Sequence, residues 1–271
     1  MQITMCSKVS LGYRSGSQRA RVVTELWAED NLYCPNCSSP KLSRLRNNTK
    51  VGDFSCVKCG FWYQLKGQKT RIGNQVSDGA FASMIEAIRN DKTPNFYFMH
   101  YDLESWQIQN LLLVPSFAFS ESAIIRRNPL SPTARRAGWV GCNISLNNIP
   151  AEARIYVVRN RQIVAANEVR RKFLQIKPLK DIAVKQRGWT LDVLNAIRSL
   201  GKTEFTTDDA YKLVPYLERL HPENRHVREK IRQQLQVLRD AELLIHVERG
   251  CWLIPRTGSD NSLIDVEGAA R

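Results

Sequence analysis

Residues 51–66 read Val51-Gly52-Asp53-Phe54-Ser55-Cys56-Val57-Lys58-Cys59-Gly60-Phe61-Trp62-Tyr63-Gln64-Leu65-Lys66. At the centre is a CxxC pair. A second pair, Cys34-Pro35-Asn36-Cys37, is separated from it by eighteen residues. Each CxxC makes a tight knuckle that aims two sulfurs at one point, and Zn²⁺ accepts four thiolates in a tetrahedron. Cys34, Cys37, Cys56 and Cys59 are therefore the expected zinc ligands. Four protein ligands leave no open coordination position, so this zinc is structural. Cys6, Cys142 and Cys251 have no partner by spacing and read as ordinary residues.

The residues flanking the second pair carry the chemistry. In a strand over 61–66, Gln64 and Lys66 face one side while Tyr63 and Leu65 face the other. If the knuckle closes a hairpin, Asp53 comes to lie beside Gln64 and Lys66. One surface then holds a carboxylate, an amide oxygen and an ammonium. A hard Mg²⁺ takes oxygen ligands and keeps several waters. A lysine beside it can orient an attacking water and offset charge on a phosphate. An edge strand with a solvated polar face fits the same residues, and at this point both readings stand.

Composition bounds the partners. The chain has 271 residues, with 40 Lys+Arg against 26 Asp+Glu, a formal charge of +14. Such a balance favours a polyanionic partner. At 43% hydrophobic and 24% charged residues, the chain reads as globular rather than disordered. No run approaches the roughly 18 apolar residues of a membrane span. Residues 1–17 are polar, so no secretory signal is expected. An odd number of cysteines, four of them in metal-type pairs, points to a reducing compartment, and a cytoplasmic location is expected.

Outward from the knuckle the pattern mixes helices and strands. Ser17 is a candidate cap for a helix over 17–29, with Val22, Val23, Leu26 and Trp27 inward. Asp78 is a candidate cap for a helix to Asn90, with Ala80, Met84, Ile85 and Ile88 inward. Residues 95–101, 111–115 and 154–159 read as strands. After residue 180 the pattern becomes helix, helix, helix, hairpin. Thr190 and Thr206 are candidate caps, Gly201 a helix stop and Pro215 a break. The third helix, 224–240, repeats Val227, Ile231, Leu235 and Leu238 at helical spacing. Strands over 243–247 and 251–254 follow.

Asp53 with Gln64-Leu65-Lys66 resembles the PD-(D/E)xK nuclease signature. Ser17-Gln18-Arg19-Ala20-Arg21, Cys34-Pro35-Asn36-Cys37, residues 132–139 (PTARRAGW) and residues 229–240 (EKIRQQLQVLRD) together resemble the DpnI-type methyl-directed restriction endonucleases, over about residues 10–255. The resemblance implies an α/β chain in three parts. Residues 1–182 would form a PD-(D/E)xK restriction-endonuclease-like domain with an inserted zinc knuckle. Residues 183–256 would form a winged helix, and 257–271 a loose tail. It implies a Mg²⁺-dependent enzyme, a monomer, cutting double-stranded DNA at GATC sites whose adenine carries an N6-methyl group. By position, Asp53, Gln64 and Lys66 would be catalytic, with Asp53, Gln64 and Leu65 around the Mg²⁺. The family has an acidic residue where this chain has Gln64. A glutamine can still offer a carbonyl oxygen. It can equally mark an inactive centre, leaving a methyl-adenine DNA reader or regulator.

Two stretches suit the DNA. The third C-terminal helix presents Arg225, Arg228, Arg232 and Gln236 away from its apolar side, with Asn224 and Arg225 at its start placed for base edges. Arg249 at the hairpin tip suits a phosphate. Arg126, Arg127, Arg135 and Arg136 flank a Pro/Gly-interrupted loop able to grip phosphates. Trp139 on that loop reads either as a core anchor or as a surface for an N6-methyl group. Glu25 reads either as an outer carboxylate near the metal or as an exposed helix acid.

Overall fold

The apolar runs 95–101 and 111–115 pair with each other at the centre of a seven-stranded sheet. The computed structural model describes residues 1–46, 49 and 52–255; Arg256 and the expected tail 257–271 lie outside the described residues. In chain order the first part comprises α1 (Gly16–Asn31), β1 (Ser43–Arg44), β2 (Phe54–Ser55), β3 (Trp62–Gln68), β4 (Gln75–Ala80), α2 (Phe81–Arg89), β5 (Asn95–Tyr101) and β6 (Ile108–Val114). It continues through β7 (Ile124–Arg126), β8 (Gly141–Ser145), β9 (Ile155–Arg159), β10 (Gln162–Ile163) and α3 (Ala166–Ile176).

The large sheet runs β1-β2-β3-β5-β6-β9-β10. Its central strands carry near-continuous buried residues, including Phe96, Tyr97, Phe98, Leu111, Leu112 and Leu113, so both faces are covered. β3 and β5 run parallel, with Gln64 beside Phe96 and Lys66 beside Phe98. A parallel pair cannot close through a tight turn and needs a long crossover. That crossover carries β4 and α2. β4 joins a second, three-stranded sheet of order β4-β8-β7.

Two helix expectations change here. Asp78 lies inside β4 rather than capping a helix, and α2 starts at Phe81 after Ala80. In the polar run 75–79 only Val76 is apolar and buried, which is too little hydrophobic periodicity to reveal a strand. In α1 the cap position is Ser15 rather than Ser17. Leu26 is exposed while Thr24 and Glu25 are buried, because the helix turns a polar strip toward the sheet edge.

The second part comprises α4 (Val184–Ser199), β11 (Glu204–Thr206), α5 (Thr207–Tyr211), α6 (Val214–Leu220), α7 (Val227–Asp240), β12 (Ile245–Glu248) and β13 (Cys251–Leu253). The strands form a small sheet of order β11-β13-β12. Thr206 caps α5 in a capping box: its side chain accepts the Asp209 N–H at 3.1 Å, and Asp209 returns a bond to the Thr206 N–H at 3.2 Å. Gly201, at φ +66°, follows the end of α4. Pro215 falls in the first turn of α6, restarting the chain there. Thr190 is not a cap. It lies mid-helix, where its hydroxyl donates to the Gln186 carbonyl at 3.0 Å and to Gln234 Oε1 on α7 at 2.7 Å. α4 starts seven residues earlier than a Thr190 cap would set it, and its first two turns pack against the first part through Arg187. Along that face Arg187 pairs with Asp91, Asp192 accepts from Ser120 at 3.0 Å, Asn195 donates to the Asn147 carbonyl at 2.9 Å, and Arg198 pairs with Glu152.

Candidate functional site

Asp53 is fixed from three directions. Its N–H donates to the Tyr63 carbonyl at 2.9 Å, and its carbonyl accepts the Leu45 N–H at 2.8 Å. Its carboxylate Oδ2 accepts the Leu65 N–H at 2.8 Å. Gly52 permits this approach, since a Cβ there would stand 2.8 Å from the Tyr63 carbonyl oxygen. β2 pairs with β3 as Phe54 opposite Tyr63, which places Asp53 against the Gln64–Leu65 peptide. The hairpin around the second CxxC thus brings Asp53, Gln64 and Leu65 together.

Charge around Asp53 is mixed. Burial pushes its carboxyl above the usual range; the Leu65 N–H opposes this, Glu25 adds to it, and Lys66 and Arg21 oppose it. Glu25 is not the exposed helix acid that one reading allowed. It is buried, accepts Arg21 Nε at 2.6 Å and pairs with Arg44 from β1. Helix α1 therefore lays a second carboxylate and the Arg21 guanidinium along the edge that carries Asp53, and β1 adds the Arg44 guanidinium.

Lys66 also meets the second sheet. Its Nζ lies 2.6 Å from Asp78 Oδ1 on β4. The sequence reading missed this partner, having assigned Asp78 to a helix cap. Next to the pair, burial and then Asp78 push the Cys142 thiol up to about 11, so it stays protonated at neutral pH. No hydrophobic pattern marks Asp78; only the side-chain contact between two separate sheets reveals it.

The four thiols converge. Cys34 and Cys59 sulfurs are 3.5 Å apart, Cys37 and Cys56 sulfurs 3.6 Å, and all four lie within 4.8 Å of one another. A Zn–S bond of about 2.3 Å puts tetrahedral sulfurs about 3.8 Å apart, so the cluster could hold zinc. Arg170 of α3 braces the first knuckle, donating through Nε to the Cys34 and Cys37 carbonyls at 3.1 Å each and through Nη2 to the Ser39 carbonyl at 3.2 Å. The Tyr63 hydroxyl lies 3.2 Å from the Cys34 sulfur. Burial pushes that phenol well above its ordinary range, so it stays a donor. Tyr63 thereby links the knuckle to the strand that carries Gln64 and Lys66. Arg170 is 133 residues from Cys37, and no spacing signal could have found it.

The basic residues form two groups. Arg126 ends β7, and Arg127, Arg135, Arg136 and Trp139 follow on the loop into β8, with all four arginines exposed. Trp139 is not a core anchor: it is half-buried, with the Arg136 guanidinium 4.5 Å from its ring centre. A Cβ at Gly141 would lie 2.9 Å from the six-membered edge of the indole, so glycine there leaves room for the ring. The loop rises from the same small sheet as Asp78. In the second part, α7 starts at Val227, so Asn224 and Arg225 stand in the turn before the helix rather than within it. Asn224 Oδ1 accepts the His226 N–H at 2.8 Å, a side-chain bond that competes with helix extension. Arg225, Arg228 and Arg232 are exposed, and the Arg228 guanidinium stacks 4.2 Å from the Tyr211 ring centre. Arg249 is exposed at the tight turn before Gly250, which adopts φ +78°.

A mixed α/β part with a four-cysteine cluster, joined to a small helical part with a helix-turn-helix arrangement, defines a class of DNA-acting proteins. The chain belongs to the DpnI, or Dam-replacing, family: the profile of that family matches residues 1–182, and that of the Dam-replacing HTH domain matches residues 185–253. Membership implies a nuclease that binds DNA, of the methyl-dependent restriction type. Among the described residues no helix is long and apolar enough to cross a membrane.

Proposed function

We propose that the chain is a Mg²⁺-dependent endonuclease of PD-(D/E)xK type that hydrolyses duplex DNA at GATC sites carrying N6-methyladenine. The observation that supports this most is the hydrogen bond from Leu65 N–H to the Asp53 carboxylate, which sets Asp53 against the strand segment that carries Gln64 and Lys66.

Asp53, the Gln64 amide oxygen and Leu65 would hold the Mg²⁺, since all offer hard oxygen donors. Bound Mg²⁺ supplies Lewis-acid polarisation of the phosphate and a lowered water pKa. Lys66 donates N–H groups toward the attacking water and the phosphate. The four cysteines hold Zn²⁺ and fix the hairpin that carries Asp53. Arg126, Arg127, Arg135 and Arg136 grip phosphates, and Trp139 offers an apolar face to the N6-methyl group. The C-terminal part acts as a winged helix, with α7 toward the major groove. Asn224 and Arg225 lie nearest the bases, Arg228 and Arg232 line the helix, and Arg249 meets the backbone.

Gln64 supports a second reading. It removes one negative charge from the metal set, and a chain that binds methylated DNA without cutting it would be a reader. Incubation with adenine-methylated and unmethylated plasmid, with and without Mg²⁺, separates the two. Cleavage of methylated plasmid only, and only with Mg²⁺, supports the nuclease. Methyl-selective retention without cleavage supports the reader, and methyl-indifferent binding contradicts both.

A further inference from the structure

Lys66 stands on β3 of the large sheet, and Asp78 on β4 of the small one. Between Ser77 and Ala80 the pairing of β4 with β8 slips, so Asp78 and Gly79 sit on a bulge. A bulge lifts a side chain out of strand alternation and re-aims it, a device common beside active sites. Here the result is a 2.6 Å contact between Lys66 Nζ and Asp78 Oδ1. The Asp78 side chain is only 8% exposed and the Lys66 side chain 25%, so water screens the pair weakly. Cys142 backs the bulge, its thiol donating to the Gly79 carbonyl at 3.5 Å.

A lysine has four rotatable carbons and three donors, and alone it holds no fixed direction. We infer that Asp78 is a positioning residue for the proposed phosphodiester hydrolysis: it accepts one N–H of Lys66 and leaves the remaining two directed at water and phosphate. The inference rests on the nuclease reading of the Asp53 edge. It adds a residue outside the hairpin to that site. It also makes the sheet that bears the basic loop 127–140 the support of the catalytic lysine.

The test uses the full chain with Asp78→Asn and Asp78→Glu. On a methylated GATC duplex with Mg²⁺, Asp78→Asn should lower kcat by roughly 10–100-fold, the range expected when a catalytic group is slightly misplaced, while KM stays constant. A second readout needs neither Mg²⁺ nor DNA: reductive methylation followed by peptide mass spectrometry. Lys66 should label several-fold faster in Asp78→Asn, while the exposed Lys58 labels as before. Asp78→Glu, which keeps a carboxylate within reach, should recover part of both. Unchanged labelling of Lys66, unchanged kcat, or equal loss in Glu and Asn variants would overturn the inference. If the wild-type chain does not cut methylated DNA, the nuclease reading fails, and the labelling comparison alone decides whether Asp78 holds Lys66.

Discussion

The Leu65 N–H donates to the Asp53 carboxylate at 2.8 Å, across the two strands that the cysteine knuckle joins. An asparagine oxygen can accept the same bond, so Asp53→Asn removes charge with little change of shape. It should abolish cutting while DNA affinity stays within about twofold. Burial, the largest influence, raises the Asp53 carboxyl, so the folded chain binds that proton more tightly than the unfolded chain does. Its ionisation therefore costs stability as pH rises from the unfolded value through the folded one. In buffer without Mg²⁺ at neutral pH, Asp53→Asn should melt no lower than wild type. A lower melting temperature would show that the carboxylate stabilises the edge.

Gln64 contributes an amide oxygen and no charge. Gln64→Glu adds one anion to a site that would hold a dication, so half-maximal cleavage should need less Mg²⁺. Titrating Mg²⁺ against the cleavage rate checks this. A requirement that stays the same or increases would place the metal away from Gln64.

The knuckle lies between Asp53 and Lys66 in the chain and is tied to β3 through Tyr63. Cys34→Ser should lower the melting temperature and cleavage together. Structural zinc contributes on the order of 10 kcal/mol in isolated finger peptides, and less where a larger core exists. Arg170→Ala, which strips three carbonyls of their donor, should lower the melting temperature by a smaller amount with zinc content unchanged. Differential scanning calorimetry with a bound-zinc assay measures both. Retained melting temperature and activity in Cys34→Ser would remove the structural role.

Asp209 completes the capping box of α5 and receives Lys212 and Lys202 at 2.9 Å each. Those two lysines, Lys212 first, hold its carboxyl below the usual range. A depressed carboxylate adds stability above its unfolded pKa and loses it as pH falls through the folded value. The deficit of Asp209→Asn relative to wild type should therefore be full at pH 7 and shrink in strong acid. Melting curves from pH 7 down to about pH 2 check the trend, starting well above the unfolded value of about 3.9. A deficit independent of pH would assign the effect to shape alone.

Much of this arrangement was legible beforehand, where local rules act. The two CxxC pairs, the strand at 62–68, the Thr206 cap and the α7 repeat of Val227, Ile231, Leu235 and Leu238 follow from spacing within a few residues. What escaped depends on distant packing. Asp78 reads as a cap because an acid before an apolar helix usually is one, whereas here a bulge turns it to Lys66. Thr190 reads as a cap until Gln234, 44 residues away, is seen to accept its hydroxyl. Glu25 reads equally as an outer carboxylate or as an exposed helix acid, because Arg44, which pairs with it from β1, is 19 residues away.

The central claim is that the edge formed by Asp53, Gln64 and Lys66 cuts methylated DNA. The most direct test is a time course on an end-labelled duplex with a single GATC, adenine-methylated on both strands or on neither, using wild type, Asp53→Asn and Lys66→Ala with Mg²⁺. The account predicts that wild type cuts only the methylated duplex, and that both variants bind it and leave it intact. Cutting by Asp53→Asn at the wild-type rate would contradict the account and place the active centre elsewhere.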